Sequence, residues 1–391
     1  MRVSLASAFL EDDNYENRLD QNFMENVICQ EDHFYHRIAK ALTQKNAEVV
    51  IHYMSQEKEL RKFTHKYGHS IVRIPATKIP FFHEPIVFSS QFPKIISDNF
   101  DICHFVSGYY VMYKIPDMFD YAVYKLHKKI PIVARWAGGK HDWLWPVRKT
   151  IKKKSLQKCD RIICSGKEES TVLENKFGIK KEKISFLINP IDLEQFKKRN
   201  RNEAANKIGI DPNFRYLLYV GRLVQNKGIE QLLQVFNNLK DVWKDLKLII
   251  IGDGSLIDYI LSFVKNNSLE NRVVIKGRLT HDMICYYYNV ASAFINVGLS
   301  GGLANVIIES IASGLPVITT DTGASKDYVN EYLKNGILIK PQNDNQLRDA
   351  IIEILNNENN YKIQKPNFLN EFSFKNFGEK LMKIYEDISH K

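Results

Sequence analysis

The stretch GLSGGLANVIIESIASGLP at residues 298–316 constrains the fold more than any other part of the chain. The apolar run at residues 293–297 before it reads as a strand. After Gly302 the apolar side chains fall at Val306, Ile307, Ile308 and Ile311, with Ala304 and Ala312 beside them, and Gly314 stops the run. The order is strand, glycine-rich turn, helix. A helix that starts at such a turn presents free N–H groups and its positive dipole end to whatever lies in front, and a phosphate or diphosphate suits both. Glu309 falls about two turns inside the predicted helix, too far in to cap it. Its carboxylate suits a pair of sugar hydroxyls if the helix lines a cleft.

Strand and helix patterns alternate along the whole chain, which predicts an α/β fold with parallel sheets flanked by helices. A length of 391 residues suggests two such domains. A first sheet is predicted from residues 2–7, 48–53, 70–74, 100–106, 130–136, 160–165 and 183–188. A second is predicted from residues 216–220, 246–251, 273–276, 293–297, 316–320 and 336–339. Residues 11–30 read as a polar and aromatic loop, and residues 33–44 as a helix with Ile38, Ala41 and Leu42 on one face. The turn NPID at 189–192 and a basic, polar linker at 196–201 mark the boundary. The domains are therefore 1–190, 191–373 and a closing amphipathic helix within 374–391 that carries Phe377, Leu381, Ile384 and Tyr385.

At 44% hydrophobic and 26% charged residues, the chain has enough apolar material for two cores. No apolar run reaches the length of a membrane span, and the first six residues read as a strand rather than a signal peptide. Cys29, Cys103, Cys159, Cys164 and Cys285 are scattered without metal spacing and read as reduced, which predicts a cytoplasmic protein. The net charge of +10 invites an anionic partner. No nucleic-acid motif accompanies it, so nucleic acid is set aside. Trp143, Trp145, Arg148, Lys149, Lys152, Lys153 and Lys154 put tryptophans beside a cationic helix, which suits the anionic inner face of a membrane, with peripheral binding.

The second predicted sheet opens with a strand that runs into GRLVQNKG at residues 221–228. Gly221 ends the strand, Arg222 follows at its carboxyl edge, and Lys227 stands before the next helix. Ligands of open α/β sheets bind at carboxyl edges. An arginine fork and a lysine point charge there suit a diphosphate, together with the amides of Gly301, Gly302, Leu303, Ala304 and Asn305. These groups stabilise the charge that develops when a bond to the diphosphate breaks, without a metal. His104 lies late in a buried strand pattern and reads first as a satisfied core histidine, with a site role as the other reading.

GRLVQNKG followed by GGLANVIIESIASGLPVI resembles the donor-binding half of the retaining glycosyltransferases of family 4, also called glycosyl transferases group 1, which have the GT-B fold. The similarity covers most of residues 189–391 and includes IGDG at 251–254, KGR at 276–278 and NG at 335–336. It implies two facing Rossmann-like domains, an acceptor on the first, a nucleoside-diphosphate sugar (UDP or GDP) on the second, and a last helix that packs back on the first. It implies no cofactor and no metal. Carried over by position, Arg222 and Lys227 bind the diphosphate, Glu309 the ribose, Gly221, Gly301, Gly302, Leu303, Ala304, Asn305 and Val306 line the donor, and Arg278 falls near the base. Where the family has the first of two glutamates, this chain has Gly301; where many members have a histidine, it has Ala137, Gly138 and Gly139, with His141 beyond. Gly138, Gly139, His141 and His104 are the expectations for the sugar or acceptor side. The implied reaction moves a sugar to an acceptor hydroxyl, lipid-linked or of a cell-surface glycan precursor, with retention. The leaving diphosphate helps deprotonate the acceptor. The rival reading is a non-catalytic subunit that binds nucleotide or acceptor and supports a partner enzyme.

Overall fold

The computed structural model describes residues 1–10, 33–79, 86–109, 117–136, 145–299, 304–330, 333–361 and 366–389. The chain divides into two units, Met1–Pro190 with Phe372–Lys391, and Ile191–Glu371.

The first unit is built on β1 (Arg2–Leu10), β2 (Glu48–Ser55), β3 (Arg61–Thr64) and β4 (Ser70–Pro75), then β7 (Ile102–Tyr109), β8 (Ile132–Trp136), β9 (Arg161–Cys164) and β10 (Ile184–Phe186). They form one sheet in the order β10-β9-β8-β7-β1-β2-β4-β3. Between β4 and β7, β5 (Thr77–Ile79) and β6 (Ile86–Phe88) pair as a separate antiparallel ribbon. The large sheet is parallel except for β3, which turns back on β4. The sequence reading has no strand at β3. Three of its four residues are exposed, so it carries no apolar signal and pairs only because a tight turn delivers it. Gly68, at φ +84°, makes that turn possible, since an L side chain is disfavoured there.

Buried strands that are apolar on both faces need helices above and below them. The helix Phe34–Thr43 covers one face with Ile38, Ala41 and Leu42, all fully buried. Helix Phe374–Ser389 belongs to the same unit and packs beside it through Phe377, Leu381 and Tyr385. Gly378 allows the close approach: a Cβ there would lie 2.6 Å from the Ala41 carbonyl oxygen.

The second unit contains β11 (Arg215–Val220), β12 (Leu246–Ile251), β13 (Val273–Ile275), β14 (Ala293–Asn296), β15 (Val317–Thr320) and β16 (Gly336–Ile339). All six run parallel in the order β13-β12-β11-β14-β15-β16. This is the doubly wound order, with the direction of winding reversed between β11 and β14. Helix Ile229–Leu239 buries Leu232, Leu233, Phe236 and Leu239 at helical spacing against the strands. The expected linker at 196–201 is not a free tether. Phe196 is fully buried against Tyr288, and Asn289 accepts from the Arg199 backbone N–H and donates to the Lys197 carbonyl at 3.0 Å. The apolar anchor outweighs the polar composition of the segment.

Candidate functional site

At a topological switch point the loops after two neighbouring strands diverge and leave a crevice at the carboxyl edge. In the second unit these are the loops after β11 and β14, which contain residues 221–228 and 297–304. The Leu299 N–H donates to the Asn226 carbonyl at 3.0 Å and ties the two loops together. Gly228, at φ +69°, sits where they touch: an added Cβ would meet the Val297 carbonyl oxygen at 2.2 Å. The loop after β12 joins them. Leu223 N–H donates to the Asp253 carbonyl at 2.9 Å, and a Cβ on Gly252 would lie 1.8 Å from the Gly221 carbonyl oxygen. Thr320, at the end of β15, holds the Gly298 carbonyl at 2.5 Å. The glycines of GRLVQNKG and IGDG are thus the contact points of a network of backbone bonds.

Arg222 and Lys227 stand on this framework. Arg222 is exposed; Lys227 is partly buried. Burial first, and the Arg222 guanidinium second, push the Lys227 ammonium below the usual lysine range. Among the described residues neither side chain has an ion pair. Two like charges held close and partly dehydrated create a field that an anion relieves. The Tyr219 hydroxyl donates to the Arg222 carbonyl at 3.0 Å and steadies the backbone from which Arg222 projects.

The helix Asn305–Ala312 begins at the same edge. Ala304 at its N-cap makes no side-chain cap, and its first turn holds no acidic residue, so no carboxylate of that turn offsets the positive end of the helix dipole. Ala304, Asn305 and Val306 are half-buried there. Gly301, Gly302 and Leu303 lie outside the described residues, and so does Ser300. Because the helix begins at Asn305, Glu309 is one turn inside it rather than two.

Glu309 is almost fully buried, which the sequence reading did not anticipate. The Tyr288 hydroxyl donates to its Oε2 at 3.2 Å, and His281 Nε2 lies 3.8 Å from Oε1. Both neighbours come from the helix His281–Val290, seven residues apart and so on one face. They orient the carboxylate, and sequence reasoning missed them. The signal was that spacing, two turns of helix, which has meaning only once the helix is known to pack against Asn305–Ala312. Arg278 is exposed after Gly277, in the loop that follows β13.

In the first unit, His104 on β7 is closed off. It is 1% exposed, and its Nδ1 bonds the Tyr385 hydroxyl at 2.7 Å. Burial, then the nearby Arg135, push its pKa down to about 3. This matches the first reading, a satisfied core histidine, and corrects the alternative that put it on an acceptor side: it lies beneath the last helix, reaching a tyrosine far along the chain. Gly138, Gly139 and His141 lie outside the described residues.

The cationic stretch is corrected at one position. Lys152 is fully buried, with its ammonium 2.6 Å from Asp117 Oδ2 and 2.5 Å from Asp120 Oδ2. On the helix Trp145–Lys158, Lys152 shares the inward face with Ser155 and Leu156, three and four residues on. Lys153 and Lys154 are exposed and Lys149 is half-buried; Trp143 and the side chains of Trp145 and Arg148 lie outside the described residues. Cys103, Cys159, Cys164 and Cys285 are buried free thiols. No described helix is long and apolar enough to cross a membrane. Among the described residues the one group of side chains able to hold a metal ion is His36, His65 and His69, in the first unit.

Comparison with known proteins adds the family. The profile described as Glycosyl transferases group 1 matches residues 200–368, and that of Glycosyltransferase Family 4 matches residues 33–195. The chain is 29% identical over 214 residues to the Campylobacter jejuni N-acetylgalactosamine-N,N'-diacetylbacillosaminyl-diphospho-undecaprenol 4-alpha-N-acetylgalactosaminyltransferase, covering 53% of this chain and 54% of that one. It is 26% identical over 247 residues to the alpha-monoglucosyldiacylglycerol synthase of Streptococcus pneumoniae, covering 59% and 53%. The chain spans about half the length of the curated relatives it matches. Among solved structures, sucrose-phosphate synthase from Thermosynechococcus elongatus aligns with a TM-score of 0.74 at 17% identity over 99% of both chains. The Anabaena protein HepE in complex with UDP aligns with a TM-score of 0.70 at 13% identity, over 99% of this chain and 100% of that one.

Proposed function

The chain belongs to the family 4 glycosyltransferases of the GT-B fold, and on that premise we propose that it transfers a sugar from a nucleoside-diphosphate donor to an acceptor hydroxyl with retention of configuration. The observation that carries this reading is the pairing of Arg222 and Lys227, without ion-pair partners among the described residues, on a loop bonded to the one that leads into an uncapped helix N-terminus.

In the proposed mechanism the donor diphosphate lies over residues 221–228, with Lys227 as a partly buried point charge and Arg222 as a fork at the solvent side. The amides that open helix Asn305–Ala312 complete the anion site. As the glycosidic bond to the diphosphate lengthens, negative charge gathers on the leaving oxygen. Fixed cations and amides in a partly dehydrated crevice stabilise that charge more in the transition state than in the ground state. No metal is needed for this step. Glu309, oriented by Tyr288 and His281, accepts the ribose hydroxyls. A carboxylate has lone pairs for these beyond the one that the Tyr288 hydroxyl occupies. The departing phosphate takes the acceptor proton on the face it leaves, so no protein base is required. UDP is the favoured nucleotide, in keeping with the HepE complex. A lipid-linked or glycan hydroxyl is the favoured acceptor, in keeping with the two curated relatives.

Titration with UDP, GDP and ADP, each with and without magnesium, tests the reading. One nucleotide should bind and raise the melting temperature, with no requirement for magnesium. At a hundredfold excess over Kd the stabilisation is about 2.7 kcal/mol. Arg222→Ala and Lys227→Ala should each weaken binding on the order of a hundredfold, as loss of a charge-assisted contact does. Unchanged nucleotide affinity in both variants would mean that the donor site lies elsewhere. Sugar release from the matching nucleotide sugar, by transfer or slow hydrolysis, separates an enzyme from a non-catalytic subunit.

A further inference from the structure

We propose that His36, His65 and His69 form a binding site for one transition-metal ion of the zinc type, which clips the β3–β4 hairpin to the helix Phe34–Thr43. The three rings come from two elements. His65 and His69 stand at the two ends of the turn that joins β3 to β4: the His65 N–H donates to the His69 carbonyl at 3.0 Å. His36 is in the first turn of the helix. All three are buried, and one ligand atom from each lies within 4.8 Å of the other two.

The chemistry of the set fits a borderline metal. Three imidazoles with no carboxylate among them suit zinc, nickel or copper better than calcium or magnesium. His36 and His69 already share one hydrogen bond ring nitrogen to ring nitrogen, so at least one of the two facing nitrogens presents a lone pair towards the centre of the cluster. Two nitrogens have no partner where they now lie, His36 Nε2 and His69 Nδ1. Buried ring nitrogens left in this way are rare, and two of them fall in this one cluster.

The present arrangement is a collapsed one. His36 Nδ1 bonds His69 Nε2 at 2.9 Å, and the His36 ring stacks on His65 at 3.9 Å. A tetrahedral ion with bonds of about 2.0–2.1 Å holds its nitrogens roughly 3.4 Å apart. The rings therefore need to turn, but the backbone need not move far. The proton in the His36–His69 bond passes to the outer nitrogen of the ring that holds it. Both rings stay neutral, and no net proton is released. The fourth position of the ion goes to solvent. Lys66, beside His65 in the turn, is exposed and screened by water.

The test uses the full chain, stripped with a chelator and exchanged into metal-free buffer. Zinc is titrated against a chromophoric chelator, and cobalt(II) serves as the spectroscopic probe. One ion should bind per chain, at least a hundredfold more tightly than to the double variant His65→Gln, His69→Gln. Cobalt should give the intense visible bands of a four-coordinate nitrogen site, absent in that variant. His127→Ala should leave affinity unchanged. Far-UV circular dichroism confirms that the glutamine variants are folded, and His36→Asn gives a second, independent removal of a ligand. Zinc affinity equal in the wild type and in both sets of variants, or cobalt spectra of a six-coordinate aqua ion, would overturn the proposal and leave the histidines as packing residues.

Discussion

Replacing Gly228 by alanine, beside the same change at Gly209, separates two costs that are usually mixed. Both glycines lie in the second unit at nearly the same backbone angle, φ +69° and +68°. An alanine in that left-handed conformation costs about 1 kcal/mol relative to glycine. At Gly209 nothing lies within 4 Å of the added Cβ, so that is the whole expected loss. At Gly228 the Cβ would stand 2.2 Å from the Val297 carbonyl oxygen and 3.0 Å from its carbon. Carbon and oxygen cannot approach so closely, and the Val297 carbonyl is backbone that cannot swing aside. The loops after β11 and β14 must part, breaking the Leu299–Asn226 bond as they do. That adds about 1–3 kcal/mol of overpacking and about 1 kcal/mol for the bond. Thermal or urea unfolding should therefore show Gly209→Ala lowered by about 1 kcal/mol and Gly228→Ala by roughly 3–5 kcal/mol. In a unit of this size the melting temperatures would fall by about 3 °C and 10 °C. Nucleotide affinity should drop only in Gly228→Ala, because Lys227 is its neighbour. Equal losses for the two variants would refute the claim that the two loops are held in contact there.

Three further outcomes follow from the same structure. Because Lys227 loses its proton below the usual lysine range, nucleotide affinity should fall at high pH through that lowered pKa; Lys227→Arg, measured by calorimetry across the alkaline range, should remove the fall. His52 and His104 have folded pKa values of about 3 against 6.5 unfolded, so the unfolded chain gains their protons first: stability is full above pH 6.5 and lost as pH falls towards 3. Between pH 7.5 and 5.5 the pair should cost the first unit about 3 kcal/mol in urea unfolding, and a flat profile would contradict it. Lys152→Ala leaves Asp117 and Asp120 without their buried cation and should destabilise by about 3–5 kcal/mol, read as a lower melting temperature.

What could be read along the chain was whatever repeats within a few residues. The alternation of apolar runs and helical spacing carried the two α/β units. GRLVQNKG carried the cations at a strand end, because a glycine that stops a strand marks its carboxyl edge. The strand order that puts the β11 and β14 loops side by side carries no local pattern. It follows from which strands pair, and it brings the loop that carries the cations against the loop after β14.

Residue type alone misled where a side chain's partner is distant. Lys152 reads as one more cation in a basic run, yet Asp117 and Asp120, more than thirty positions earlier, draw it inside. His104 reads rightly as a core histidine, but the hydroxyl that satisfies it is 281 residues away. His36 meets His69 across 33 residues; His65 and His69 are locally spaced as H-x3-H, but the third ring joins them only through the fold. Composition and periodicity determined that this chain makes two layered α/β units and puts cations after a strand's carboxyl end. Burial, ion pairing and the gathering of histidines belonged to the tertiary structure alone, because the dehydration that decides them exists only after remote segments have packed together.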